Sequence, residues 1–319
     1  MLCGLAGLIA AGRVSVLVDG CGEQPAALAA RLAATLTASG RPCVRLTGID
    51  DADTGGDAVE GAVRLAGGPG WRGARTWDLM IWVRAGRDPD GAAENGADIV
   101  IDLSDQDWPV IRRVAASLAG RGSWYLTETR AFFSPRAATW DTKFGDDMPA
   151  YAAAVARAGI RRGGVVVDVG CGTGRALPAL RQAVGSHGAV IAADLTPAML
   201  ARARQQATAA RAALVLADAR KLPFADASAD ALFAAGLINH LPDPEAGLGE
   251  LARVTRTGGL LALFHPAGRA ALAARHGRTL TQDEPLSAGP LQRSAAATGW
   301  RLAAYDDAVD HFFALAVRC

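Results

Sequence analysis

The residues of this chain best suited to chemistry lie in one ordered series that begins at position 168. The run Asp168-Val169-Gly170-Cys171-Gly172-Thr173-Gly174 follows the apolar stretch Val165-Val166-Val167 and precedes Leu177, Leu180 and Val184 at helical spacing. Glycines directly after a strand let the backbone turn sharply and let a ligand approach main-chain atoms closely. Such a loop is a weak signal alone, because dinucleotide enzymes use similar loops. The carboxylates that follow strengthen it. Asp194 ends the stretch Ala189 to Ala193, where a carboxylate can accept hydrogen bonds from both hydroxyls of a ribose. Asp218 ends Ala213 to Ala217 and can accept from an adenine amino group. Two histidines, His240 and His265, fall after the next two apolar stretches, where either could take a proton from a nucleophile. For His240 the stronger alternative is a residue that only shapes its loop.

These residues need a scaffold of alternating strands and helices. The spacing predicts strands at Val165 to Val167, Ala189 to Ala193, Ala213 to Ala217, Ala229 to Ala234 and Leu260 to Phe264. Thr196-Pro197 and Asp243-Pro244 read as helix starts, and Gly258-Gly259 as a helix end. Arg301 to Tyr305 and Phe312 to Arg318 read as a closing hairpin, with Asp306, Asp307, Asp310 and His311 as its polar loop rather than a metal cluster. Upstream, Met1 to Ala11 reads as a short helix, and strands are predicted at Val14 to Val18, Cys43 to Leu46, Asp78 to Val83 and Ile99 to Asp102. Residues 50 to 75 read as loop with short helix, Pro109 to Leu118 as a helix, and Ser134-Pro135 as a linker. Strands alternating with helices imply parallel sheets covered on both faces.

The second half resembles the class I S-adenosylmethionine-dependent methyltransferases, in the subgroup with the D-x-G-C-G-T-G run, over roughly residues 135 to 319. The resemblance implies that Asp168 and Gly170, Cys171, Gly172, Thr173 and Gly174 hold the methionine part of S-adenosylmethionine. It implies Asp194 for the ribose and Asp218 with the Ala219 amide for the adenine, with Leu195, Met199 and Arg220 also among the cofactor-binding residues. Gly236 and Leu237 would line the transfer site. Trp140, Phe144 and Tyr151 would form a lid, with ordinary helix packing as the alternative. The stretch Ala235-Gly236-Leu237-Ile238 lacks the Asn/Asp-Pro-Pro-Tyr/Phe box of DNA amino-methyltransferases, so a small-molecule acceptor, methylated on O or N, is expected.

The first half resembles uridine kinase-like P-loop proteins over about residues 10 to 125. The resemblance rests on Val16 to Leu28, Gly40 to Leu46, Trp77 to Val83 and Gly96 to Asp102. A working loop reads G-x-x-x-x-G-K-[ST]. Counted from Gly20, Pro25, Ala26 and Ala27 stand at the second glycine, the lysine and the Ser/Thr. The only lysines are Lys143 and Lys221, so no register restores the cation. This half therefore reads as a degenerate P-loop scaffold, a candidate surface for a homodimer. A bifunctional kinase-methyltransferase and a non-catalytic S-adenosylmethionine-binding partner protein are the competing readings.

Length and composition set the frame. The 319 residues are too many for one small core, which divides the chain into residues 1–128 and 129–319, with 129–160 as linker and lid. The expected fold class is α/β with two doubly wound domains: an N-terminal P-loop-like parallel sheet, then a Rossmann-like sheet with a closing antiparallel hairpin. A net charge of +1 argues against a nucleic-acid partner, and no apolar run has the ~18 residues of a membrane span. Five cysteines without a C-x-x-C pair fit a reducing cytoplasm, and the Arg-, Ala- and Gly-rich composition fits a bacterial source, with secondary metabolism as the setting. No metal is expected.

Overall fold

The computed structural model describes residues 1–9, 14–20, 22–48, 61–68, 70–73, 75–84, 96–103, 110–119, 124–145, 147–275, 280, 282 and 284–319. Two compact units are present, Met1–Glu128 and, after it, Thr129–Arg275 with Leu280–Cys319. The expectations at Cys21 and between 49 and 60 fall outside the described residues, as does the side chain of Phe144.

The N-terminal unit begins with α1 (Leu2–Leu8), followed by β1 (Ser15–Gly20) and α2 (Gln24–Ala38). The strands β2 (Cys43–Arg45), β3 (Val63–Gly67), β4 (Leu79–Arg84), β5 (Ile99–Asp102) and β6 (Val110–Val114) complete a sheet of order β2-β3-β1-β4-β5-β6. All neighbours are parallel except β5 and β6. Leu28, Leu32 and Leu36 are buried from one face of α2, as their spacing of four predicts. Two expectations fail here. The stretch read as loop and short helix contains β3, a strand inside the sheet. The helix expected from Pro109 is instead the antiparallel strand β6, with the short α3 (Ala116–Ala119) after it. The run mimics helical spacing, but β-branched residues favour strand pairing, and Ile111 and Val114 stand opposite Ile101 and Ile99.

A helix, α4 (Trp124–Arg136), runs across Ser134-Pro135. Pro135 sits in its last turn, so the pair is helix rather than linker. Segment 129–160 is helical for most of its length, continuing with α5 (Trp140–Phe144) and α6 (Met148–Ala158).

The C-terminal sheet has β7 (Val165–Val169), β8 (Ala189–Asp194), β9 (Ala212–Leu216), β10 (Ala229–Ala235), β11 (Thr255–His265), β12 (Trp300–Asp307) and β13 (Phe312–Arg318). Its order is β12-β13-β11-β10-β7-β8-β9. Strands β7 to β11 are parallel, and the β12–β13 hairpin closes the sheet antiparallel against β11. Intervening helices are α7 (Leu177–Val184), α8 (Pro197–Ala210), α9 (Pro244–Val254), α10 (Arg269–Arg275) and α11 (Ala288–Ala297). Asp243 caps α9 by accepting from the Ala246 amide at 2.9 Å. That helix ends at Val254, before Gly258-Gly259, which instead lie within β11. The core joins Leu177, Leu180 and Val184 to Val166, Phe233, Phe264 and Phe313. From β7 the chain winds outward through β8 and β9, then returns to β10 on the other side of β7. The order reverses there, and ligands of open α/β sheets bind outside the strand ends at such a switch point.

Candidate active site

The glycine loop leaves β7 at this switch point. Gly170, Gly172 and Gly174 have φ of 74°, 54° and 87°, a region closed to most side chains. The Gly170 and Cys171 amides donate to the Ala193 carbonyl, tying the loop to β8. Around a Cβ placed on Gly172 there is open space, so a ligand can reach the main chain at that point.

Three carboxylates stand at successive strand ends. Asp168 is 2 % exposed, and its Oδ2 has no hydrogen-bond partner. Burial, and then the charge of Asp194, push its carboxyl up to about 8. Asp194 accepts from the Gly172 amide at 2.9 Å through Oδ2 and from the Thr196 amide at 2.8 Å through Oδ1. Burial raises its pKa, and those amides pull the other way. Each of its oxygens retains a lone pair for a further donor. Asp218 is held by Arg220, whose Nη2 lies 2.7 Å from Oδ2 and whose amide donates to Oδ1. Ala219 is buried beside it, Met199 is buried in α8, and the Leu195 carbonyl accepts from Arg130 Nε at 3.1 Å. Cys171 is buried, with its thiol pushed well up by burial and then by Asp168 and Asp194.

A cleft opens at the ends of β10 and β11. Gly236, Leu237, Ile238 and Asn239 line one side, with Phe264, His265, Arg269 and Leu286 among the other walls. The Nδ1 of His265 lies 2.9 Å from the Ala267 carbonyl and 3.1 Å from its amide, which fixes the ring. His240 does not line this cleft. It packs edge-on against Phe133, 5.1 Å between centroids, with Phe132 6.3 Å away.

The segment ahead of β7 closes onto the loop through a residue that sequence reasoning missed. Arg175, 7 % exposed, directly follows Gly174. Its Nε donates to Asp141 at 3.1 Å, its Nη1 to Asp147 at 2.5 Å and its Nη2 to the Trp140 carbonyl at 3.3 Å. Thr173 also donates to Asp141, at 2.6 Å, so its hydroxyl is committed to the segment. Trp140 is half-buried against Phe133. Tyr151 belongs with the core beneath, packed edge-on to Phe264 at 5.1 Å, rather than with a cover. Burial first, then the Asp147 charge, raise its pKa. The only sequence signal for this clasp was a charged residue next to the last glycine. At the far hairpin, His311 pairs with Asp306 and Asp310, and Arg157 joins Asp306 at 2.8 Å.

Residues 167–263 match the family described as a methyltransferase domain. That match lies within the C-terminal unit. Among curated proteins, it is 36% identical over 108 residues to 27-O-demethylrifamycin SV methyltransferase of Amycolatopsis mediterranei (strain S699), covering 33% of this chain and 39% of that protein. It is 38% identical over 112 residues to phosphatidylethanolamine N-methyltransferase of Cereibacter sphaeroides, covering 34% of this chain and 53% of that protein. The chain thus spans about two fifths to one half of the length of these relatives. Among solved structures, a SAM dependent methyltransferase from Aquifex aeolicus overlaps 58% of this chain and 98% of its own, with 22% identity and a TM-score of 0.48.

The cofactor of such a domain is S-adenosylmethionine, and the residues present fit it. The open space at Gly172 and the orphaned buried Oδ2 of Asp168 leave room, and an unmet polar atom, for a ligand that brings hydrogen-bonding groups.

Proposed function

We propose that the chain is an S-adenosylmethionine-dependent methyltransferase acting on a small-molecule acceptor at O or N. The observation that carries this reading is the placement of the glycine loop, Asp168, Asp194 and Asp218 on consecutive strand ends beside an accessible cleft. Asp168 and Gly170 to Gly174 would hold the methionine part. Asp194 would accept from the ribose hydroxyls, with Leu195 and Met199 behind it, and Asp218 with the Ala219 amide and Arg220 would meet the adenine. When bound, S-adenosylmethionine supplies a methyl group activated on a sulfonium.

Methyl transfer is an in-line displacement, and positioning provides most of its acceleration. Gly236 and Leu237 would form the floor on which the acceptor meets the methyl group. The walls from Ile238, Phe264 and Leu286 favour an apolar acceptor and exclude water. His265 would take the acceptor's proton at Nε2, in the tautomer whose Nδ1–H is donated to Ala267. His240, away from the cleft wall, would shape the loop after β10. The antibiotic-related name of one relative supports a role in bacterial secondary metabolism. Among the described residues no helix is long and apolar enough to cross a membrane. We read the protein as cytoplasmic, with the N-terminal unit as a degenerate P-loop scaffold that pairs two copies.

The test is calorimetric titration of S-adenosylhomocysteine into the full chain, followed by mass-spectrometric detection of its release from S-adenosylmethionine with a panel of phenols and amines. Binding and acceptor-dependent release are expected. Absence of binding would overturn the reading. Binding without release from any acceptor would favour the non-catalytic partner.

A further inference from the structure

We propose that Arg220 sets the base preference of the cofactor site: it occupies Asp218 in the free protein and yields that carboxylate to a base carrying an amino group. This rests on the reading that Asp218 meets the adenine of S-adenosylmethionine.

The fold brings the pair to the strand ends of the site. The register of β8 and β9 sets Asp194 opposite Leu216, and the Ala217 amide donates to the Asp194 carbonyl at 3.0 Å. Asp218 is the next residue. A turn closed by the Lys221 amide on the Asp218 carbonyl, at 3.0 Å, then holds Arg220 against it.

Asp194 and Asp218 differ in what they have left to offer. Asp194 accepts the Gly172 amide on one oxygen and the Thr196 amide on the other. On Asp218 each oxygen meets two contacts from Arg220. Oδ1 accepts from the Arg220 amide at 2.9 Å and from Nε at 3.1 Å. Oδ2 accepts from Nε at 3.0 Å and from Nη2 at 2.7 Å. A carboxylate has about four acceptor positions, so Arg220 alone fills them. An adenine amino group can bond to Asp218 only when one of these donors leaves. The amide is fixed by the turn. The guanidinium is not, and it supplies both contacts of Oδ2, so Oδ2 is the oxygen the base takes.

Exposure makes that exchange feasible. The Arg220 side chain is 36% exposed, against 8% for Arg175, so a released guanidinium returns to water. Exposed ion pairs contribute little to stability, whereas opening a buried one is costly. A neutral amino group is a weaker partner for a carboxylate than a guanidinium is. It wins here because the ribose, held at Asp194, keeps the base at high local concentration. A base with a carbonyl oxygen in place of the amino group cannot make the exchange. It brings an acceptor to an acceptor, and with the guanidinium gone it meets only repulsion from Asp218.

The experiment compares S-adenosylhomocysteine with S-inosylhomocysteine, in which a carbonyl oxygen replaces the amino group. Both are titrated calorimetrically into the full chain and into Arg220→Met, which keeps an apolar stem and removes the guanidinium. The variant is expected to bind S-adenosylhomocysteine roughly twofold to fivefold more tightly, the range of one exposed ion pair. It should bind S-inosylhomocysteine no more tightly than the unmodified chain does. Arg220→Lys keeps the charge without the planar fork and should fall between the two for S-adenosylhomocysteine. With Asp218→Ala already in place, Arg220→Met should change neither affinity. Unchanged or weakened S-adenosylhomocysteine binding in Arg220→Met overturns the proposal. Equal tightening of both ligands also overturns it, because Arg220 would then only fill space, and so does a gain that persists without Asp218. Asp218→Ala binding S-adenosylhomocysteine at unmodified affinity would remove the adenine assignment beneath it. Failure of the unmodified chain to bind S-adenosylhomocysteine would remove the cofactor reading itself, an outcome separate from the others.

Discussion

At the scale of single residues, the carboxyl of Asp168 makes the site sensitive to pH. Burial and then Asp194 hold it at about 8 in the folded chain, against an ordinary value of 3.8. A group whose folded value is raised binds its proton more tightly when folded. The stability it contributes is fully present below the ordinary value and is lost as pH rises through the folded one. The ligand-free protein should therefore melt at progressively lower temperature between about pH 5 and pH 8, and Asp168→Asn should show a shallower decline. Asp147 and Asp194 are shifted in the same direction, so some slope should persist in the variant. Identical slopes in differential scanning calorimetry would show that Asp168 is ionised without penalty. Asp194 offers a second test at this scale. Its two oxygens already accept backbone amides at 2.9 Å and 2.8 Å, and each keeps capacity for a further donor. Asp194→Ala should weaken S-adenosylhomocysteine by roughly a hundredfold or more, the loss of two charged hydrogen bonds. Unchanged affinity would sink the ribose assignment.

At the scale of elements, the clasp between α5, α6 and the glycine loop is the feature with most to test. Arg175 spans Asp141, Asp147 and the Trp140 carbonyl from a buried position. Removing one partner of a buried ion pair leaves the others uncompensated and costs about 3–5 kcal/mol. Arg175→Met should therefore lower the melting temperature and speed proteolytic cleavage between α5 and α6, read by mass spectrometry of the fragments. Cleavage at the unmodified rate would mean that the segment is held by its apolar contacts alone. The clasp also marks what the sequence could and could not reveal. Glycines and carboxylates at strand ends were legible because local backbone geometry selects them, residue by residue. Arg175 was not, because its partners lie about thirty positions away and no periodicity links them. Element types failed where pattern and pairing disagreed. The V-I-R-R-V run of β6 has the spacing of a helix face, yet the open edge of β5 decides its conformation. The strand β3 is hidden in a glycine-rich stretch because it is only five residues long, Val63–Gly67, between β1 and β2. For Tyr151 the sequence left cover and helix packing open, because an aromatic ahead of a glycine loop says nothing about which way α6 turns it, and it packs on Phe264.

At the scale of the whole molecule, the two units carry separate sheets, and every candidate site residue belongs to the second. The fragment Trp124–Cys319, which keeps α4 intact, should therefore bind S-adenosylhomocysteine within about threefold of the full chain, a difference under 1 kcal/mol. A large loss would mean that the first unit supplies part of the site. What the first unit lacks is equally testable. A nucleoside triphosphate needs backbone amides at a helix start and a cation to balance its phosphates. Here α2 begins Gln24-Pro25, and the positions of the lysine and the hydroxyl residue are Ala26 and Ala27. At the tip of β1 stands Asp19, a buried carboxylate that accepts from the Gly20 amide at 2.8 Å and pairs with Arg72 at 2.9 Å. It occupies a loop amide and places negative charge where phosphates would need positive. The cation that could attract them, Arg72, is already bound to it and stacked over Trp82 at 4.9 Å. ATP with magnesium should thus bind more weakly than about 1 mM, which is under roughly 4 kcal/mol of binding free energy. Asp19→Asn should not restore affinity, because removing the repulsion does not supply the missing lysine. Tight ATP binding by the unmodified chain would overturn the scaffold reading and make the bifunctional enzyme the better account. Binding that appears only in Asp19→Asn would instead mean that this single carboxylate, rather than the absent lysine, keeps the first unit from taking a nucleotide.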